Sequence, residues 1–383
     1  MKLRARLADL TPGELSTIAG VTIRDGIPAK EADAGWPLGV VRRHSDGNLI
    51  VVDYYAHCIW RIDDVGVLHR LAGDGVPGKS GDNGPAIDAR FFHPHDLNQD
   101  THGNLFLSDL GNDTIRRIDA ETGVITRVAG SGKRGRGGDG GPAVEAELDC
   151  TCGIAIDKEG NVYLSSEWMN NIRRVDAKTG IIETVFGLMA RHYPSEEGES
   201  RPFAGPSLSL MGYHGDGGPA ASAAFYHPEH LAFDSKGDLY VCDNSNDRIR
   251  KIDMKSGTIT TVLGNGVRAS NGDGGPAVEA STLMPDALCF DANDNLYMVD
   301  SLNHRVQMLT KEGKFLSKWG QKGNKEGEFD HPWGITIDHN GDVFVADWRN
   351  DRIQKFDPNG KFLMTFGRSG QGDGEFNRPT GVA

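Results

Sequence analysis

Residues Leu231–Gly264 read LAFDSKGDLYVCDNSNDRIRKIDMKSGTITTVLG. Four short runs in this stretch alternate apolar and polar residues with a period of two, and Gly, Asn and Asp separate them. Period-two alternation marks half-buried strands, and such turn residues join them into an antiparallel meander of four strands. The stretch follows the phrase HPEHL, whose proline is Pro228, and variants of that phrase run the length of the chain. WPLGV stands at Pro37, HPHDL at Pro94, CTCGI at Thr151, MPDAL at Pro285, HPWGI at Pro332 and RPTGV at Pro379. The spacings are 57, 57, 77, 57, 47 and 47 residues. One meander cannot cover both of its faces, so the copies must stack. Four-stranded units of about 40–50 residues do so as the blades of a propeller around a central channel.

In three copies the phrase D-x-x-N-x-R-[IV] recurs, at Asp243–Ile249, Asp300–Val306 and Asp347–Ile353. On these phrases the chain resembles the NHL-repeat family over nearly its whole length. The resemblance implies an all-β fold, a β-propeller with six complete four-stranded blades. The expected blades are 37–74, 94–131, 151–187, 228–265, 285–320 and 332–367, all in one domain over 1–383. Partial strands are expected at 15–20 (LSTIAG) and 376–383. Either six blades close the ring and leave loose tails, or a seventh blade is truncated; truncation is the expectation.

Composition fits this picture. Fifty-one glycines in 383 residues demand many turns, and the 38% hydrophobic content supplies a core. A formal charge of −13 argues against nucleic acid, whose binding needs a basic footprint. No run of eighteen apolar residues exists, so no membrane span is expected, and the N-terminus lacks the apolar core of a signal peptide. Five cysteines without a C-x-x-C pair point to a cytoplasmic, disulfide-free chain. A monomer is expected.

Four linkers carry a second motif: GDNGPAIDA (81–89), GDGGPAVEA (138–146), GDGGPAASA (215–223) and GDGGPAVEA (272–280). The Pro-Ala segment reads as one helical turn beginning at the proline. Asp82, Asp139, Asp216 and Asp273 are turn caps or calcium ligands. The aspartates ending the second strand of five repeats (Asp53, Asp109, Asp243, Asp300, Asp347) brace their own loops. The third repeat breaks this rule with Ser166-Glu167-Trp168-Met169, which makes Glu167 and Trp168 candidates for function.

Strand order places the linkers and the loops between second and third strands on one face, the top. The 20 extra residues between the third and fourth repeats fall there, within 188–213, and include Arg191, His192, Tyr193 and Arg201. They are a lid or an inert excursion. The residue after the phrase's proline opens the innermost strand at the channel mouth. Around the ring it is Leu38, His95, Cys152, Glu229, Asp286 and Trp333. The next position, glycine in three repeats, holds Asp96, His230 and Ala287 in the others. His95, Cys152, Glu229, His230 and Asp286 are thus a candidate set for a divalent ion, zinc or calcium, with His95, His230, Glu229 and Asp286 also able to serve as acid/base groups. Solvation of the channel entrance is the plainer alternative. His93, His227 and His331, on alternate blades, could meet on the axis, but a structural role before the proline is the simpler reading. Cys150 and Cys152 flank Thr151 on an extended segment, so only one of them should face the channel. No organic-cofactor motif is present.

The resemblance adds that some NHL-type propellers, the peptidyl-hydroxyglycine amidating lyase and the streptogramin lyases among them, use a metal at the channel mouth. Its histidines tend to follow the proline in Pro-His-x-[Leu/Ile]. Pro94-His95-Asp96-Leu97 matches that phrase, His230 is displaced by one residue, and Cys152 and Glu229 replace histidine elsewhere. Other family members are binding platforms. Two functions follow: a metal-dependent lyase or hydrolase acting on a small molecule, or a non-catalytic scaffold presenting its top face to a protein or peptide.

Overall fold

In the computed structural model, residues 26–28, 37–43, 46–63, 67–187, 212–338 and 340–366 are described. They form six antiparallel sheets, each with four strands hydrogen-bonded in chain order. Blade 1 comprises Pro37–Arg42, Leu49–Asp53, Cys58–Ile62 and Val67–Ala72; blade 2, Pro94–Gln99, Leu105–Asp109, Thr114–Ile118 and Val124–Ala129. Blade 3 holds Thr151–Ile156, Val162–Ser166, Asn171–Val175 and Ile182–Phe186; blade 4, Pro228–Phe233, Leu239–Asp243, Arg248–Asp253 and Thr258–Leu263. Blade 5 runs through Pro285–Phe290, Leu296–Asp300, Arg305–Leu309 and Phe315–Trp319; blade 6 through Pro332–Ile337, Val343–Asp347, Arg352–Phe356 and Phe362–Phe366. Each innermost strand touches the next, and that of blade 6 touches that of blade 1, which closes a six-bladed propeller. The terminal segments 15–20 and 376–383, and 188–211 of the insertion, lie outside the described residues.

The core lies between blades. Ile50 and Ile59 of blade 1 pack with Leu97 and Leu107 of blade 2, and Tyr240 and Cys242 of blade 4 pack with Leu288 and Met298 of blade 5. Burial of these side chains, worth roughly 1.5–3 kcal/mol each, is available only when blades stack.

The buried aspartates do more than brace their own loops. Asp243 accepts hydrogen bonds from Tyr226 N (2.8 Å) and Asn246 Nδ2 (2.9 Å), and Asp109 does the same with Phe92 N and Asn112 Nδ2 (2.8 Å each). Each fastens the arriving linker to the loop after its second strand. The linker aspartates answer to a third strand. Asp82, Asp139 and Asp216 pair with buried Arg116, Arg173 and Arg250 at 2.6–2.8 Å, and Asp273 pairs with Arg305 at 2.8 Å. They are ion-pair partners of buried guanidinium groups. Blade 5 achieves the same contact from two residues earlier in the strand, with Gln307 where blades 2 to 4 carry arginine.

The Pro-Ala segments form single 3-10 turns, such as Ala86–Asp88, with the proline just before the turn. The linker also pairs with the outer strand of the blade it introduces, Gly84–Pro85 against Ile125–Val124. This covers an otherwise open sheet edge. Ile27–Pro28 pairs in the same way with Leu68–Val67. It belongs to a fifth copy of the linker motif, DGIPAKEA (25–32), in which isoleucine replaces the second glycine.

Candidate functional site

Every innermost strand begins with a bulge. Pro94 pairs with Asp109 and Leu97 with Leu107, so His95 and Asp96 oppose a single residue; Pro228/Leu231 and Pro285/Leu288 repeat the shift. A bulge re-aims side chains that an unbroken strand would send to opposite faces. That is why two consecutive positions, His95 with Asp96 and Glu229 with His230, both reach the mouth. Blade 3 has glycine at the second position for a steric reason: a Cβ on Gly153 would lie 2.1 Å from the Glu229 carbonyl oxygen.

The predicted residues are distributed as follows. His95 Nδ1 lies 3.3 Å from the Cys152 carbonyl oxygen. Because a carbonyl only accepts, Nδ1 carries the proton and Nε2 is the basic nitrogen. Burial lowers the His95 pKa. Asp96 accepts from Leu97 N (2.9 Å) and Ile154 N (2.8 Å), stitching blade 2 to blade 3, and burial raises its pKa to about 7. His230 Nδ1 is buried with no hydrogen-bond partner among the described residues, and desolvation lowers its pKa to about 4. Glu229 hydrogen-bonds Asp286 across the blade 4–5 boundary. Burial, then the Asp286 charge, hold Glu229 well above the usual carboxylate range. Asp286 also accepts from Asn244 Nδ2 (2.5 Å) and Ser301 Oγ, and burial raises its pKa to about 7. The two carboxyl groups therefore keep a proton where isolated ones would have lost it.

The five-residue ligand set is not gathered into one centre. Among the described residues, no three of these five bring donor atoms within 4.8 Å of one another. The cause is local: His95 is turned to a backbone carbonyl, while Glu229 and Asp286 turn to each other. Cys152 converges instead with Cys150 and Glu167. Here the expectation about the two cysteines also fails. Cys150 adopts a left-handed conformation, φ 43°, and its sulfur lies 3.7 Å from that of Cys152. Glu167 Oε2 is 3.2 Å from Cys150 Sγ and 3.4 Å from Cys152 Sγ. The candidate Glu167 thus joins the cluster, whereas Trp168 stands exposed on the top face. The sequence signal for this cluster was the broken Asp rule at Ser166; nothing local announced the left-handed Cys150.

His93, His227 and His331 share that left-handed corner, with φ of 51–53°. Their backbone N–H groups reach the preceding blade: His93 N to His57 Nδ1 (3.2 Å), His227 N to Asn170 Oδ1 (2.8 Å) and His331 N to His304 Nδ1 (3.0 Å). Their rings bond or stack at the rim, His93 on Tyr54 at 4.3 Å and His331 against Asp330 at 2.6 Å. This is a structural role. The group His304, Asp330 and His331 is likewise already satisfied by these bonds.

Two family models match parts of the chain: the SMP-30/Gluconolactonase/LRE-like region over residues 233–366 and the Teneurin NHL domain over 132–197. NHL repeat-containing protein 2 of Bos taurus is 26% identical across 77% of this chain and 41% of its own length. The chain thus spans about two fifths of that relative. Among solved structures, virginiamycin B lyase from Staphylococcus aureus superposes with a TM-score of 0.53 at 16% identity, covering 88% of this chain and 86% of the lyase. An auxiliary nutrient binding protein from Bacteroides thetaiotaomicron gives 0.58 at 15% identity, over 88% and 74%. These structural likenesses establish the fold. The sequence matches bear out the resemblance to NHL-repeat propellers.

Proposed function

We propose that this NHL-repeat propeller binds a small polar molecule at its top-face channel mouth and transforms it by proton transfer, as a lyase or hydrolase. The observation that carries the reading is the buried Glu229–Asp286 carboxyl pair, joined across two blades, whose pKa values burial raises, while burial lowers those of His95 and His230 at the start of innermost strands. A protonated carboxyl group is a general acid, and His95, its Nδ1–H fixed on the Cys152 carbonyl, offers Nε2 as a base. No step in this reading runs through a metal, because the five predicted ligands do not converge. A reducing, cytoplasmic setting fits the five free cysteines. Among the described residues no helix is long and apolar enough to cross a membrane.

The test is turnover of a panel of lactones and esters by wild type, Glu229→Gln and His95→Gln. The reading expects a hit whose rate falls roughly 100-fold or more in each variant, the usual scale for losing a general acid or base. A hit that both variants process at the wild-type rate, or no hit in the panel, counts against it.

A second reading, the protein-binding scaffold, draws on exposed aromatic side chains at the top face, Tyr55, Phe92 and Trp168 on blades 1 to 3. It also draws on the longer relatives, of which this chain matches one part.

A further inference from the structure

Residues two apart on an extended strand share a face but stand roughly 6.6 Å apart along it. Cys150 and Cys152 come closer than that, since the first sits in a left-handed corner and the second in the bulge of the innermost strand. Their sulfurs lie 3.7 Å apart, and Glu167 Oε2 stands 3.2 and 3.4 Å from them. A tetrahedral zinc centre with bonds of about 2.3 Å to sulfur and 2.0 Å to oxygen requires sulfur–sulfur separations of about 3.8 Å and sulfur–oxygen separations of about 3.5 Å. The three atoms hold close to that spacing.

Blade 3 alone assembles this set. At the position of Cys150 the other blades with described corners carry His93, His227, Met284 and His331; at that of Glu167 they carry Tyr54, Leu110, Asn244, Ser301 and Trp348. We infer that Cys150, Cys152 and Glu167 form a binding site for a thiophilic divalent cation, with zinc as the best fit. Two thiolates exclude the oxygen-seeking ions calcium and magnesium, and the carboxylate favours a borderline ion over copper(I). His227 Nδ1 lies 3.7 Å from Glu167 Oε1, near enough to orient the carboxylate. Three protein ligands leave a fourth position open, the arrangement of catalytic rather than structural zinc. This site stands independently of whether the Glu229–Asp286 pair does chemistry.

Cobalt(II) reports on such a site. The chain, stripped of metal by a chelator and kept reduced by a non-coordinating phosphine, is titrated with Co2+. We expect one ion per chain, a near-ultraviolet thiolate-to-cobalt charge-transfer band and the strong visible bands of four-coordinate cobalt. Zn2+ bleaches these bands, and a hundredfold excess of Ca2+ does not. Cys150→Ser and Cys152→Ser each abolish the charge-transfer band, while Cys289→Ser and His230→Asn keep it. Glu167→Gln, which melts like wild type, binds Co2+ at least about tenfold more weakly. A chain that shows no charge-transfer band at saturating Co2+, a band that survives Cys150→Ser, or displacement by Ca2+ overturns the inference. Because the readout is metal binding, it fails or succeeds separately from the lactone and ester assay.

Discussion

Blades 3 and 4 share one backbone frame at the top face and use it differently. In both, the residue after the second strand donates its N–H to the corner carbonyl, Glu167 N to Cys150 O at 3.2 Å and Asn244 N to His227 O at 3.3 Å. Blade 4 ends that strand with Asp243, fully buried, which holds Tyr226 N, Asn246 and Arg250 at once. Blade 3 ends it with Ser166, which reaches only the Asp149 carbonyl, at 2.6 Å. Arg173 is then left with Asp139 and two backbone carbonyls, and a small hollow opens between Ser166, Met169 and Arg173. The missing buckle coincides with the thiol–carboxylate cluster. Blade 4 spends its corner on rigidity, while blade 3 has ligand-type residues there.

The largest test of that contrast is stability. Asp243→Ala leaves the Tyr226 N–H without its acceptor in the interior and takes away one of the two carboxylates that hold Arg250, and should cost roughly 1–3 kcal/mol for each buried donor left unsatisfied. Ser166→Ala removes one neutral hydrogen bond and should cost about 1 kcal/mol. Urea unfolding measures both. Equal losses would erase the distinction between the two blades.

A smaller effect separates the two mouths by pH. Burial raises the folded pKa of Glu229 above its unfolded value, so the folded state binds more protons through the window above the ordinary carboxylate range. Its contribution is fully present below about pH 4 and is lost as pH rises, with a slope of at most about 1.4 kcal/mol per pH unit for one proton. Glu229→Gln should therefore flatten the fall in stability as pH rises above about 4. Cys152→Ser, in the blade 3 mouth, should leave that slope alone, because the hydrogen bond with Cys150 and then burial hold its thiol pKa well above the ordinary value. A slope unchanged in Glu229→Gln would show that the carboxyl pair ionises normally.

The strands were legible because their signals are local: alternation, Gly and Asn turns, and the Asp that closes each second strand. The ring positions of His95, Cys152, Glu229 and Asp286 were legible because the repeat supplied a common register. What escaped depends on contacts between blades or on a single dihedral angle. No periodicity reveals that Cys150 turns left-handed, or that Glu229 meets Asp286 of the next blade and not a metal shared with His95. Arg305 escaped for a related reason: it stands two positions earlier in its strand than Arg116 and still finds the linker aspartate. Repeat alignment compares positions, and side-chain length can exchange one position for another.

The most direct test of the proposed site is the protonation of the carboxyl pair itself. An infrared difference spectrum of wild type against Glu229→Gln, recorded at about pH 6, isolates the Glu229 carboxyl group from the other buried acids. The account predicts the carbonyl band of a protonated carboxylic acid in wild type that the variant lacks. A spectrum with only carboxylate bands would contradict it, leaving no general acid at the mouth.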